Sequence, residues 1–293
     1  MNLPICDYED SQYQSQFWDQ GERVYEDQVE AIALQRLLPP RGDLLLELGA
    51  GAGRNTPRYQ NFKRIVLVDY STSQLQQARA HLGDSNRYIY AAANIYHLPF
   101  VPGLFDAATL IRVLHHMADA PYALRGIRQV LKPGGIFILE FANKQNLKAI
   151  LRYIFRRQSW NPFSREPVEF ARLNFDFHPA AVRSWLQRSG FNVQRQLTVS
   201  HFRIDFLKRS LPLKLLVTLD SLAQWSGDLC QLSPSVFVRT QAVGDTTKAA
   251  AGQFFRCPAC GNSPLEASSA SLDCSACGRQ WPIQDGIHDF RVT

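Results

Sequence analysis

The sequence predicts an α/β fold built on a nucleoside-binding strand–turn–helix unit, with a small metal-held unit at the C-terminal end. Three observations carry this. An apolar run, Leu44, Leu45, Leu46 and Leu48, feeds a glycine turn, Gly49-Ala50-Gly51-Ala52-Gly53. A second strand-like run, RIVLVDYS, holds Asp69 twenty residues past Gly49. Two C-x-x-C pairs, Cys257/Cys260 and Cys274/Cys277, lie near the end of the chain. Glycine lets bare backbone approach a ligand, and an acid closing the next strand can accept both ribose hydroxyls of a nucleoside. The G-x-G-x-G spacing argues against a dinucleotide, because Arg54 stands where G-x-G-x-x-G has its third glycine. No G-K-[ST] follows, which argues against a phosphate-binding P-loop.

The remaining elements follow in order. Residues 16–40 read as a helix, with Val29, Ile32, Ala33, Arg36 and Leu37 at helical spacing and Pro39-Pro40 as its stop. Residues 90–100 give a strand followed by polar Asn94 and apolar Ile95, and residues 105–117 give a strand running into a helix. Residues 131–143 read as a helix end, a Pro-Gly-Gly turn and a strand. Residues 191–202 give a later strand, and PSVFVRTQAV the last one. Two inserts interrupt this frame. Residues 144–178 mix bases with Tyr153, Phe155, Trp160, Phe163 and Phe170, and residues 207–232 promise one apolar helix or two. Inserts at this edge of such a sheet usually build the substrate pocket. Bases with aromatics fit RNA or an acidic lipid surface, but a solvated basic face over an apolar core face is the plainer expectation.

The order E-L-G-A-G-A-G, V-D-Y-S, N-I-Y-H-L-P-F, F-D-A-A-T-L-I-R-V-L-H-H, L-K-P-G-G resembles the class I S-adenosylmethionine-dependent methyltransferases, nearest the type-11 or quinone-biosynthesis-like branch, over residues 20–205. The resemblance implies a Rossmann-like seven-strand methyltransferase sandwich, mostly parallel with an antiparallel last hairpin. It implies Glu47, Gly49, Gly51 and Gly53 around the methionine part of S-adenosylmethionine, Asp69 on the ribose and Tyr70 against the adenine. Asn94 and Ile95 would meet the adenine edge, and Ile111 and Arg112 the methyl-transfer side. Most relatives carry Asp where this chain has Asn94; an amide can still accept through its carbonyl oxygen, without charge. Gln74 stands where Met or Leu commonly packs on adenine. In relatives the N-terminal helix lids the cofactor, which makes Trp18, Arg23 and Tyr25 candidates to touch cofactor or substrate.

Each C-x-x-C forms a knuckle, followed by Gly261 or Gly278, and two knuckles give the four thiolates of a closed structural Zn²⁺ site. The tail 256–292, with Trp281, Pro282, Ile283, Asp285, Gly286 and Ile287, resembles the small zinc-ribbon family that activates tRNA, rRNA and release-factor methyltransferases as a separate subunit. The expected organisation is a helical lid (1–40), a methyltransferase domain (41–241), a linker (242–253) and a zinc ribbon (254–293). Cys6 and Cys230 are expected to be buried small apolar residues.

The net charge of +6 is too mild to establish a nucleic-acid partner. No apolar run is long enough to span a membrane and the N-terminus is acidic and polar, so a cytoplasmic protein is expected. If the acceptor must lose a proton, His115 and His116 are the base candidates, ahead of His97, Tyr96 and His178. The expected acceptor is a small molecule or lipid-like metabolite, with peripheral membrane contact open. An RNA or protein acceptor is the first alternative, but no N-P-P-Y or D-P-P-Y follows the fourth strand, which continues I-R-V-L. A cofactor-binding scaffold without turnover is the second.

Overall fold

The computed structural model describes residues 3–7, 9, 23–83, 85–245 and 247–291. The central sheet is built from β1 (Gly42–Leu48), β2 (Phe62–Asp69), β3 (Tyr88–Ala92), β4 (Phe105–Leu110), β5 (Leu131–Ala142), β8 (Phe191–Val199) and β9 (Ser235–Ala242). Their spatial order is β3-β2-β1-β4-β5-β9-β8. The first five strands pair in parallel, while β9 runs antiparallel to both β5 and β8. This is the α/β Rossmann-like methyltransferase fold. The last five residues of β1 and the four residues Ile65 to Val68 of β2 are buried, as strands covered on both faces require. Helices α1 (Val24–Leu37), α2 (Thr72–Leu82), α3 (Ala120–Val130) and α5 (Pro179–Arg188) provide the cover. Ser71 caps α2 by accepting Gln74 N–H, and Asp119 caps α3 by accepting Tyr122 N–H, satisfying amides that a helix start leaves unpaired.

Three details differ from the sequence expectation. The Pro-Gly-Gly stretch lies inside β5 instead of preceding it, and a register shift opposite, between Phe105 and Ala107, absorbs it. Tyr25 packs into the protein, donating to Asp220 Oδ2 at 2.5 Å and accepting Phe202 N–H. It anchors the second insert to α1 instead of facing a ligand. Cys230 is exposed and Cys6 only half-buried. Trp18 lies outside the described residues.

The first insert holds α4 (Leu147–Ile154) and a hairpin of β6 (Val168–Ala171) and β7 (Asn174–Asp176); the second holds α6 (Asp205–Ser210) and α7 (Leu213–Ala223). The C-terminal unit consists of β10 (Glu266–Ala267), β11 (Ser271–Asp273), β12 (Gln280–Gln284) and β13 (Ile287–Asp289). Its β13 pairs in parallel with β3, Ile287 opposite Tyr90 and Asp289 opposite Ala92, so the sheet runs on through eleven strands. Phe255 stacks on Phe100 at 5.7 Å and meets Phe290 at 5.0 Å. Cys257, Cys274 and Trp281 therefore belong to the same apolar core as Phe100 and Phe105. The 242–253 segment is no free tether. It starts in β9, the Arg128 guanidinium donates to the carbonyls of Val243 and Gly244, and Ala249 N–H bonds Gly103 O. Gly103 has φ +65°, and a Cβ there would lie 2.2 Å from Thr247 O, so this close approach needs glycine.

Candidate active site and four-cysteine cluster

A cleft opens beyond the C-terminal end of β1, where the strand order reverses between β2 and β4, the usual ligand position in such sheets. Gly49, Gly51, Asp69, Tyr70, Asn94, Ile95, Ile111 and Arg112 all line it. Asp69 Oδ2 accepts Gly51 N–H at 2.8 Å and Oδ1 accepts Ser71 N–H at 3.0 Å. Each oxygen keeps lone pairs for a ligand, and burial pushes the carboxyl above its usual range, so further donors would be well received. Gly51 has φ +52°, and the nearest atom to a Cβ there would be Gln74 Oε1 at 3.8 Å. Gly49 is needed for packing, since its Cβ would meet Val113 Cγ2 at 2.2 Å.

Two predicted residues stand behind the cleft instead of lining it. Glu47 is buried and accepts Thr56 Oγ1 at 2.6 Å; burial raises its carboxyl to about 7. Gly53 faces Ala78 and Leu82 of α2, letting helix and loop close together. Asn94 spends one lone pair of its carbonyl oxygen on Tyr96 N–H at 2.9 Å, capping the turn Ile95–His97. An adenine amino group is left only the other.

Arg112 has φ +59°; its N–H bonds Glu140 and its guanidinium is paired with buried Glu30 of α1. Arg54 of the glycine loop also reaches Glu30 at 2.9 Å and Asp27 at 2.5 Å. These ion pairs rope α1 to both sides of the cleft. His116 lines the cleft with Nδ1 2.9 Å from Leu173 O, while His115 lies behind it with Nδ1 buried and without a partner among the described residues. Burial depresses both imidazoles, His115 further with His116, Arg112 and Arg23 adding, so both are neutral at pH 7. Tyr96 also lines the cleft, whereas His97 packs beside Tyr122 and His178 caps α5 by accepting Ala180 N–H.

Several residues went unread in the sequence. Pro4, Ile5 and Cys6 form one wall of the cleft. Nearby, Glu9 accepts from the N–H groups of Thr72 and Ser73 at the start of α2. Arg291, just past β13, pairs with Glu9 at 3.4 Å and stands 5.8 Å over the Tyr70 ring. Asp176 on β7 is raised to about 6 by burial and by Glu140. An exposed-looking hairpin residue gives no sequence signal of this kind, because the burial comes from another element.

The four cysteine sulfurs all lie within 4.8 Å of one another, with Cys257–Cys277 at 3.7 Å and Cys260–Cys274 at 3.5 Å. Tetrahedral Zn–S bonds of about 2.3 Å place sulfurs about 3.8 Å apart, so the set fits a metal ion of that kind. The two knuckles match: Gly261 N–H bonds Cys257 O and Gly278 N–H bonds Cys274 O, each at 2.8 Å. Both glycines have positive φ, +79° and +70°.

Residues 46–139 match a family model described as a methyltransferase domain. That segment, about a third of the chain, and the fold around it define a methyltransferase domain. Among curated relatives, the ubiquinone/menaquinone biosynthesis C-methyltransferase UbiE of Shewanella sp. (strain W3-18-1) is 34% identical over 122 residues, covering 39% of this chain and 48% of that protein. The Vibrio cholerae UbiE is 35% identical over 109 residues, covering 34% and 42%. The chain thus spans less than half the length of these relatives. Among solved structures, a chain of the Haloferax volcanii complex between the Trm112 methyltransferase activator and a methyltransferase aligns with TM-score 0.56 and 17% identity, covering 79% of this chain and 96% of that one. The [4+2]-cyclase SpnF aligns with TM-score 0.52 and 19% identity, covering 74% and 82%. The fold alone therefore does not decide the reaction.

Proposed function

We propose that this chain transfers the methyl group of S-adenosylmethionine to a small-molecule or lipid-like acceptor, and that Zn²⁺ on Cys257, Cys260, Cys274 and Cys277 holds its ribbon folded. The observation that carries the reading is the Gly51–Asp69 pair inside the cleft, within the matched segment. Asp69 would accept the ribose hydroxyls through its remaining lone pairs, with Gly51 leaving room for the ligand. Tyr70, Asn94 and Ile95 would hold the adenine, and Ile111 and Arg112 the methyl side. Glu47 and Gly53 act from behind, setting the loop's position. The names of the curated relatives support the lipid-like part of the reading.

The bound cofactor supplies a methyl carbon already activated by a sulfonium, so the residues chiefly orient the acceptor and exclude water. Arg112, neutralised by Glu30, adds no free cation beside that sulfonium. A neutral His116 that donates Nδ1–H to Leu173 O presents Nε2 as a proton acceptor. His115, behind it, is a positioning residue. Asp176, which does not line the cleft, lies close to the Glu140 carboxylate that holds the Arg112 backbone. An RNA or protein acceptor is the rival, favoured by the ribbon's contact with Tyr70 through Arg291.

The test is calorimetric binding of S-adenosylhomocysteine to the intact chain and to Asp69→Ala, followed by transfer of labelled methyl to metabolite and RNA panels. We expect binding that weakens at least about tenfold in the variant, as loss of hydrogen bonds to a charged group implies. An intact chain that binds nothing would overturn the reading. Binding with no methyl release to any acceptor would leave a scaffold, and release only to RNA would favour the rival.

A further inference from the structure

We propose that the two inserts form a docking face for the surface of an anionic lipid bilayer. In the expected arrangement of a basic helix, the apolar side chains face the core. Here they do not. Ala149 is the one buried residue of α4, and α6 has none. Ile154 is 61% exposed, Phe155 67%, Phe206 73% and Leu229 91%. Leu147, Leu151, Leu215 and Leu222 are exposed with them. So much uncovered apolar surface in two separate inserts is unusual for a surface that faces only water.

The exposed segments start from one place. Ala142 of β5, Ser235 of β9 and Val199 of β8 stand in register across the sheet. From that row leave α4, the stretch before β9 and α6. Leu147 N–H bonds Leu232 O at 2.8 Å, fastening the first of these to the second. Lys208 of α6 reaches Glu26 of α1 at 3.1 Å, which puts the third beside the helix that flanks the cleft. The face therefore lies on the sheet edge that also opens the cleft.

Charge selects the occupant. Residues 144–165 contain six Lys or Arg and no Asp or Glu. Lys148, Arg152, Arg156, Arg157 and Arg165 are exposed among the apolar residues. Arg209 and Lys214 are exposed in the second insert. A second copy of the chain, docked by a two-fold axis, would set this basic patch against itself. A nucleic acid would leave the branched aliphatic side chains unused, because it offers phosphates and stacking faces. An anionic bilayer takes both, with lipid headgroups on the bases and acyl chains around Ile154, Phe155 and Phe206. An eight-residue helix, about 12 Å long, suits the interface plane and is far too short to span. Among the described residues no helix is long and apolar enough to cross a membrane.

This proposal stands apart from the methyl-transfer reading and has its own measurement. The intact chain is sedimented with sucrose-loaded vesicles of equal phosphatidylglycerol and phosphatidylcholine, or of phosphatidylcholine alone, in 0.1 M salt. We expect binding to the anionic vesicles at least about tenfold tighter than to the neutral ones, and weaker at high salt. Ile154→Asp with Phe155→Asp should lower it about tenfold or more with an unchanged melting temperature, and Phe206→Asp gives the same readout should that pair misfold. No binding to anionic vesicles would overturn the proposal. So would a pair variant that binds like the unaltered chain, or a self-associated chain that the same substitutions disperse without any vesicle binding.

Discussion

The two ends of the central sheet treat apolar surface in opposite ways. At the β3 edge the ribbon adds β13 in parallel and buries Phe100, Phe290 and Trp281 in a shared core. At the β5-β9-β8 end the inserts also carry large apolar side chains but leave Ile154, Phe155, Phe206 and Leu229 in the open. An unpaired strand edge invites association, and here the chain covers it with its own C-terminus. At the other end the turn 224–228 flanks β8, Asp228 accepting Gln196 N–H, but the insert side chains named above are covered by nothing among the described residues. Covered apolar surface reports how the chain holds itself together; uncovered surface, set among bases, reports what it meets.

The largest expected effect breaks the covered end. If Zn²⁺ sits on the four cysteines as proposed, Cys274→Ser or a chelator should lower the melting temperature by about 10 °C or more, because so small a unit depends on such an ion to fold. A melting curve unchanged by chelation would show that the aromatic core alone holds the ribbon. Next, Phe100→Ala should cost about 3–5 kcal/mol, while Phe155→Ala should stay within about 0.5 kcal/mol. Urea titrations of both variants measure the contrast, and equal losses would erase it.

Between the two ends, Glu47 on β1 gives a pH signature. Burial raises its carboxyl to about 7, so from about pH 4.5 to 7 the folded chain holds more protons than the unfolded one. Its contribution to stability is therefore greatest below the unfolded value and is lost as pH rises through 7. Glu47→Gln should gain about 3 kcal/mol over the unaltered chain at pH 8 and little at pH 4.5. A pH-independent difference in urea midpoints would refute that. The smallest effect tests whether the covered end reaches the cleft. Arg291→Ala removes the pairing with Glu9 and the cover on Tyr70. It should weaken S-adenosylhomocysteine about two- to fivefold with little change in melting. Calorimetry at two salt concentrations would register it.

Much of the candidate site's backbone was legible because it rests on local demands. Gly49 and Gly51 must be glycine where the backbone turns to positive φ, and Asp69 closes the neighbouring strand at a spacing set by one strand–turn–helix unit. The cysteine knuckles are equally local, each fixed by a four-residue turn. Glu47 was legible as an acid beside the glycine turn, but whether it faces the cleft or Thr56 depends on a turn nine residues on. Pro4, Ile5 and Cys6 carry no motif and enter the cleft wall only through the fold.

The sequence by itself determined the order of the α/β units, the glycine loop, the acid closing β2 and the four-cysteine set, since each follows from period, turn chemistry or ligand spacing within a short stretch. Tertiary structure decided what distant pieces do to one another. It made the ribbon an added strand, turned the linker into a docked segment, set Arg291 on Tyr70, and left the insert side chains outside the core. Pairing at a sheet edge and burial depend on which surfaces meet, and residues about 200 positions apart carry no local sign of that meeting.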